Sequence, residues 1–199
     1  MKQVRAFLHG EGAAWLERNQ SKLPPAVDPV TEAIKAADIP PNNGNVLEIG
    51  CANGWRLEQL KRLYGCHCTG VDPAAPRNVP NLFQGAANSL PVSSDEFDFV
   101  IYGFCLYLVD REDLFVVAAE GDRVLRNFGY LIIHDFLPDY PNKVPYKHRE
   151  GIFSYKMDYA NLWLGNPAYS LFHRVIWPEE GTAVTILKKN LINGWPLDE

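Results

Sequence analysis

The stretch "VLEIGCANG", Val46 to Gly54, decides how the chain is read. Its opening residues have the apolar, branched character of a buried strand, and Glu48 puts an acid near the strand's end. Gly50 and Gly54 then let the backbone turn tightly and come close to a ligand. "WRLEQLKRLYG" follows, with Leu57, Leu60 and Leu63 at helical spacing and Gly65 as a stop. The unit therefore reads as strand, tight loop, helix.

The same grammar repeats outward. Upstream, "DPVTEAIKAADIPPN" reads as a helix capped by Asp28, with Pro29 in its first turn. Downstream, "HCTGVD" reads as a second strand and "NLFQG" as a short third, and "EFDFVIYGFCLYLV" contains a fourth. "EDLFVVAAEGDRVLRN" reads as a helix whose inner face carries Leu114, Val117, Ala118, Val124 and Leu125, and "GYLIIHDF" as a fifth strand. Strands alternating with helices predict right-handed βαβ units and a parallel sheet. After Phe136 the pattern changes to a Pro- and Tyr-rich stretch, 137–167. "YSLFHRVIW" and "TAVTILKK", joined by the short "PEEG", then predict a closing antiparallel hairpin.

Composition narrows the class. The 199 residues, 47% of them hydrophobic, suit one domain with a real core. No run approaches the roughly 18 apolar residues of a membrane span. The first twenty residues lack the apolar core of a secretion signal. The expectation is a soluble, cytoplasmic chain with no membrane partner. A formal net charge of -5 gives no support to a nucleic-acid surface, so no nucleic-acid partner is expected. Four cysteines are too few for a disulfide scaffold. Cys66, His67 and Cys68 sit together, but alternate strand residues point to opposite faces and no second Cys/His pair stands at zinc spacing. They read as partly buried strand residues, and no metal is expected.

In an open α/β sheet, ligands sit outside the carboxyl ends of the strands, which is where Gly50–Gly54 falls. A dinucleotide would want G-x-G-x-x-G, but Ala52 and Trp55 hold the second and third glycine positions, and Glu48 would repel a pyrophosphate. A cationic amino-acid ligand suits the loop better. Glu48 can face an ammonium, the loop amides a neutral or anionic group, and Asp72, ending the second strand, the two hydroxyls of a ribose.

At this point the residues resemble a known family. "VLEIGCANGWRLEQL" with "TGVDPAA" is similar to the first two motifs of class I S-adenosylmethionine-dependent methyltransferases. "NSLPVSSDEFDFVIYGFCLYLVDRED" and "RVLRNFGYLIIHDF" resemble their following segments, so the likeness runs from about Asn45 to Phe136. It implies a Rossmann-like three-layer α/β sandwich whose seven-stranded, mostly parallel sheet has the order 3-2-1-4-5-7-6, strand 7 being antiparallel. It implies S-adenosyl-L-methionine as cofactor and S-adenosyl-L-homocysteine as product. By position, Gly50, Cys51, Ala52, Asn53 and Gly54 line the methionyl part and ribose. Asp72 holds the ribose hydroxyls, Pro73 and Ala74 lie beside the adenine, and Gly103 and Phe104 approach the sulfonium. Many relatives carry an acid for the adenine amino group where this chain has Ala86, which leaves the backbone amide of Ala87 and the side chain of Asn88 for that end.

Three segments are candidates to close the site. The N-terminal "FLHGEGAAWLERN" offers Trp15 and Arg18 as a lid over the cofactor, or else an amphipathic helix packing Trp15 on the core. "FCLYLVDRED" offers Tyr107 near the methyl group, or else a core tyrosine. The insertion offers His148, with Asp135 at the fifth strand's end, as base candidates. The expected organisation is one domain over 1–199: a helical lid 1–44, a cofactor-binding core 45–136, a substrate insertion 137–167 and closing strands 168–199. The expected activity is methyl transfer to an O or N atom of a small polar metabolite, sugar derivative or natural-product precursor. The alternatives are a peptide or protein acceptor, or a module that binds S-adenosylmethionine without catalysis. A monomer or homodimer is expected.

Overall fold

The computed structural model of the chain describes residues 2–190. The last residues of the expected closing segment, 191–199, lie outside the described residues. The chain opens with α1 (Gln3–Ala6), a distorted turn (Phe7–Glu11) and α2 (Gly12–Asn19). Then follow α3 (Pro29–Ala36), β1 (Asn45–Ile49), α4 (Trp55–Tyr64), β2 (His67–Asp72), β3 (Leu82–Gln84) and β4 (Phe97–Gly103). The rest is α5 (Leu114–Val124), β5 (Leu125–Phe136), β6 (Asn142–Pro145), β7 (Phe153–Lys156), α6 (Asn161–Leu164), β8 (Tyr169–Trp177) and β9 (Thr182–Lys189).

Seven strands form one sheet in the order β3-β2-β1-β4-β5-β9-β8, which is the order expected. The first five run parallel, β9 runs antiparallel to β5, and β8 antiparallel to β9. The central strands are apolar on both faces because both faces are covered. On one face Val46, Phe99 and Ile101 pack with Val30 and Ile34 of α3 and Leu57 and Leu60 of α4. On the other, Leu47, Val100 and Tyr102 pack with Val117 and Val124 of α5 and Trp163 of α6. This is a three-layer sandwich.

One local reading needs correction. The helix before β5 is shorter than expected: Leu125, Arg126 and Asn127 belong to the strand, Leu125 pairing with Phe97. The β4–β5 register is interrupted there, and Phe128 sits at φ +65°. Helix α5 thus runs into β5 with no loop. Its last carbonyls are taken by the buried Lys189 of β9, whose Nζ donates to the carbonyls of Asp122 (2.8 Å) and Leu125 (3.0 Å). The insertion 137–167 has regular elements of its own. It holds the β6–β7 hairpin and α6, and Trp163 anchors it by donating from Nε1 to the Ala118 carbonyl at 3.2 Å.

Candidate cofactor and acceptor cleft

Strand β1 ends on Glu48 and Ile49 between β2 and β4, so its loop emerges centrally at the sheet's carboxyl edge. Gly50 takes φ +80°, and a Cβ there would stand 2.7 Å from the Cys105 Cβ, so only glycine fits. Ala52, where many such loops have glycine, takes φ +51°. That left-handed conformation costs an alanine about 1 kcal/mol, and its N–H is held at 3.0 Å by Asp72 Oδ2. Asp72 also accepts the Ala74 N–H at 2.7 Å through Oδ1. Burial pushes the Asp72 carboxyl above its ordinary range while these amide bonds pull it back.

The loop opens on a cleft lined by Gly50, Asp72, Pro73, Ala87, Asn88, Gly103 and Phe104 of the expected set. Phe104 also adopts a left-handed φ, +57°, fixed by its N–H donating to the His134 carbonyl at 2.9 Å. Strained backbone at the lip of a cleft belongs to sites that position a ligand. Trp15 reaches the same cleft from above, joined by Phe7 of the same N-terminal candidate segment. Asp110 and Asp113 line it too and were not singled out in the sequence, Asp113 because it reads as the start of a helix.

The roof has two interlocked parts. Gln3, buried in α1, donates from Nε2 to the Leu108 carbonyl at 2.6 Å, and its Oε1 accepts the Phe153 N–H of β7 at 2.6 Å. The Gln3 N–H itself donates to Asp110 Oδ2 at 2.7 Å. Arg149 of the insertion donates to the Ala6 carbonyl at 3.2 Å.

Several expected residues stand elsewhere. Glu48 does not face the cleft. It is buried against the Arg56 guanidinium, which also donates to Asp28 at 3.0 Å, so the ammonium partner expected for it is replaced by an internal arginine. Burial pushes Glu48 up to about 7, with Arg56 pulling the other way. Arg18 is held at 2.6 Å by Glu11, with Tyr146 at 3.1 Å, and is not among the residues lining the cleft. Cys51 and Ala52 are buried within the loop and do not line the cleft, and Asn53 and Gly54 line a second cleft beside α4. His148 is exposed on the hairpin, stacked edge-on against Tyr146 at 5.3 Å, and does not line the cleft. An exposed position away from the cleft does not suit a base.

Tyr107 and Asp135 lie together, one layer below the cleft. Tyr107 packs against Phe104 (5.2 Å) and Phe136 (5.2 Å), and burial pushes its hydroxyl well up. Asp135 is buried and accepts the N–H groups of Phe136 (2.8 Å) and Tyr107 (3.3 Å), which fastens the segment after β4 to the end of β5. Burial pushes Asp135 up to about 7 from an ordinary 3.8. A buried acid raised in this way holds its proton more tightly folded than unfolded. Its contribution to stability is full below about pH 4 and is lost as pH rises towards 7. The rise of about three pH units corresponds to roughly 4 kcal/mol. Asp135→Asn is therefore expected to flatten the fall in stability between pH 4.5 and 7, read from urea midpoints across that range. An unchanged slope removes Asp135 as its source.

The family model described as a methyltransferase domain matches residues 47–133. An uncharacterized protein of Haemophilus influenzae is 30% identical over 106 residues, 46% of this chain and 42% of that protein. The chain thus spans less than half the length of the curated relative it matches. The structure of Burkholderia thailandensis 1,6-didemethyltoxoflavin-N1-methyltransferase, with bound 1,6-didemethyltoxoflavin and S-adenosylhomocysteine, is similar at TM-score 0.72 and 16% identity, over 94% of this chain and 88% of that one. A chain from the complex of the Haloferax volcanii Trm112 methyltransferase activator with a methyltransferase is similar at TM-score 0.69 and 14% identity, over 94% and 100%. A S-adenosylmethionine-dependent methyltransferase of Methanosarcina mazei gives TM-score 0.59 at 17% identity, over 76% and 94%. No helix of the described residues is long and apolar enough to cross a membrane. Residues 47–133 thus match a methyltransferase-domain family, and the strand order is the one that the resemblance to class I S-adenosylmethionine-dependent methyltransferases implies.

Proposed function

We propose that the chain transfers the methyl group of S-adenosylmethionine to an oxygen or nitrogen atom of a small molecule. The observation that carries this is the roof. Val4 of α1, Phe7, and Gly12 and Trp15 of α2 cover the cleft, and Gln3 ties α1 to the segment after β4 and to β7, so an acceptor must be small enough to fit beneath them. Phe7, Trp15 and Phe104 give the space aromatic walls, which suit a flat acceptor. The Burkholderia neighbour, solved with a small-molecule ligand in place, supports the same reading.

The residues fit the donor. Asp72 has its carboxylate at the cleft wall and takes the ribose hydroxyls, Ala87 and Asn88 take the adenine end, and Gly50 with Gly103 makes room for the methionyl chain. When bound, S-adenosylmethionine supplies a methyl carbon on a sulfonium that departs as a neutral thioether. The protein's task is then mainly to hold the two reactants close and aligned. Trp15 closes the site from above, and Asp135 with Tyr107 fixes the Phe104 lip from below. The insertion 137–167 and the segment 1–44 act together as the acceptor's enclosure.

The test is incubation of purified protein with S-adenosylmethionine and two panels, small N- and O-nucleophiles and a peptide library, with S-adenosylhomocysteine and methylated products read by mass spectrometry. Product from a small acceptor, with turnover at least tenfold lower in Trp15→Ala, is the expected result. Methylation confined to peptides overturns the small-molecule reading, and absence of any S-adenosylmethionine binding overturns the whole.

A further inference from the structure

The methyl-transfer reading does not use Cys66 and Cys68. Both line the second cleft, on the wall between α4 and β3, together with Glu58, Lys61, His67 and Leu82. Cys66 immediately precedes β2 and Cys68 is its second residue, and the two sulfurs stand 3.4 Å apart in contact with one another. Both are free thiols, Cys66 buried and Cys68 half-buried.

In extended chain, Cα atoms two residues apart are separated by about 6.6 Å, the far end of what a disulfide spans. A single atom between the sulfurs fits better. In a tetrahedral site with metal–sulfur bonds of about 2.3 Å, two sulfurs lie about 3.8 Å apart, so the pair need open by only about 0.4 Å. From this geometry we propose that Cys66 and Cys68 form a two-thiolate site for one soft divalent cation. Each thiol gives its proton to solvent on binding, so each cation releases two protons. Among the described residues no group of three or more His, Cys, Asp or Glu is placed to hold a metal ion. Two thiolates are thus the protein's share, and water or a small thiol entering by the cleft completes the shell. Such a site captures and releases a cation rather than locking it in place.

Titration of the reduced protein with cadmium(II) tests this through the near-ultraviolet thiolate-to-metal band. One cation per chain is expected, with the band lost in Cys66→Ser and in Cys68→Ser and kept in Cys105→Ser. In the unsubstituted protein, cadmium(II) is expected to slow alkylation of Cys66 and Cys68 by iodoacetamide at least tenfold, read by peptide mapping, which stands even if a serine variant fails to fold. No band in the reduced protein, a band that survives both serine substitutions, or unprotected Cys66 and Cys68 overturns the proposal. So does ready formation of a Cys66–Cys68 disulfide with peroxide in a protein that takes up no cadmium(II).

Discussion

Asp72→Ala is expected to weaken S-adenosylmethionine binding by a hundredfold or more while leaving the protein folded. The carboxylate at the end of β2 stands at the cleft wall, oriented by the Ala52 and Ala74 amides. A ribose offers it two hydroxyls, and hydrogen bonds to a charged group are worth about 1.5–3 kcal/mol each. Losing both costs about 3 kcal/mol or more, hence the hundredfold. Folding is spared because an acid buried without an opposite charge stabilises the folded chain little: burial pushes Asp72 upward. Asp72→Asn keeps one acceptor and should fall between. Calorimetric titration with S-adenosylmethionine and S-adenosylhomocysteine, beside thermal melts, separates affinity from folding. Unaltered affinity in the alanine variant would remove Asp72 from the ribose.

Arg56→Ala should have the largest effect on stability. The guanidinium on α4 is clasped between Asp28, which caps α3, and Glu48 of β1, and all three are buried. Removing one partner from a buried ion cluster costs about 3–5 kcal/mol, because the remaining charges have lost both water and their counter-charge. Set against a typical total of about 5–15 kcal/mol, that leaves a marginal fold. Glu48 is already up at about 7 with Arg56 present, while Asp28, raised by burial, is held below its ordinary range chiefly by Arg56; without the guanidinium both rise. The variant should therefore recover part of its stability as pH falls towards 5, where the acids become neutral. Urea unfolding at pH 7 and pH 5 checks this. A loss under 1 kcal/mol at pH 7 would show that the cluster is not sealed from water. Gly103 belongs to the same arrangement, since a Cβ there would press on Glu48 Oε1 and on Arg56.

What could be read from residues alone follows a physical division. The β1 loop and the acid ending β2 were legible because they depend on short-range features: an apolar run buried on both faces, small residues where φ is positive, an acid at a strand end; the strand order followed only from the resemblance to a known family. The partner of Glu48 was not legible. Asp28 satisfies a helix cap as expected, accepting the Thr31 N–H at 3.2 Å, but nothing in its own segment announces that it also meets Arg56. Gln3 was missed for a similar reason. A lone glutamine in a short helix reads as surface, and only the assembled roof buries it. The β6–β7 hairpin escaped notice because both its strands are short and mostly unburied, so no alternation of apolar and polar residues marks them. His148 attracted attention through its chemistry and is set aside by its exposed place on that hairpin.

The ordering of the closing strands has a consequence during synthesis. Strand β5 is made well before its neighbour β9, with residues 137–181 between them. Until β9 leaves the ribosome, β5 has an open edge of unpaired amides and carbonyls, and the carbonyls at the end of α5 wait for Lys189. The half-made chain is thus most exposed to aggregation in that interval, and its cofactor-binding half cannot become fully rigid before one of its last elements arrives.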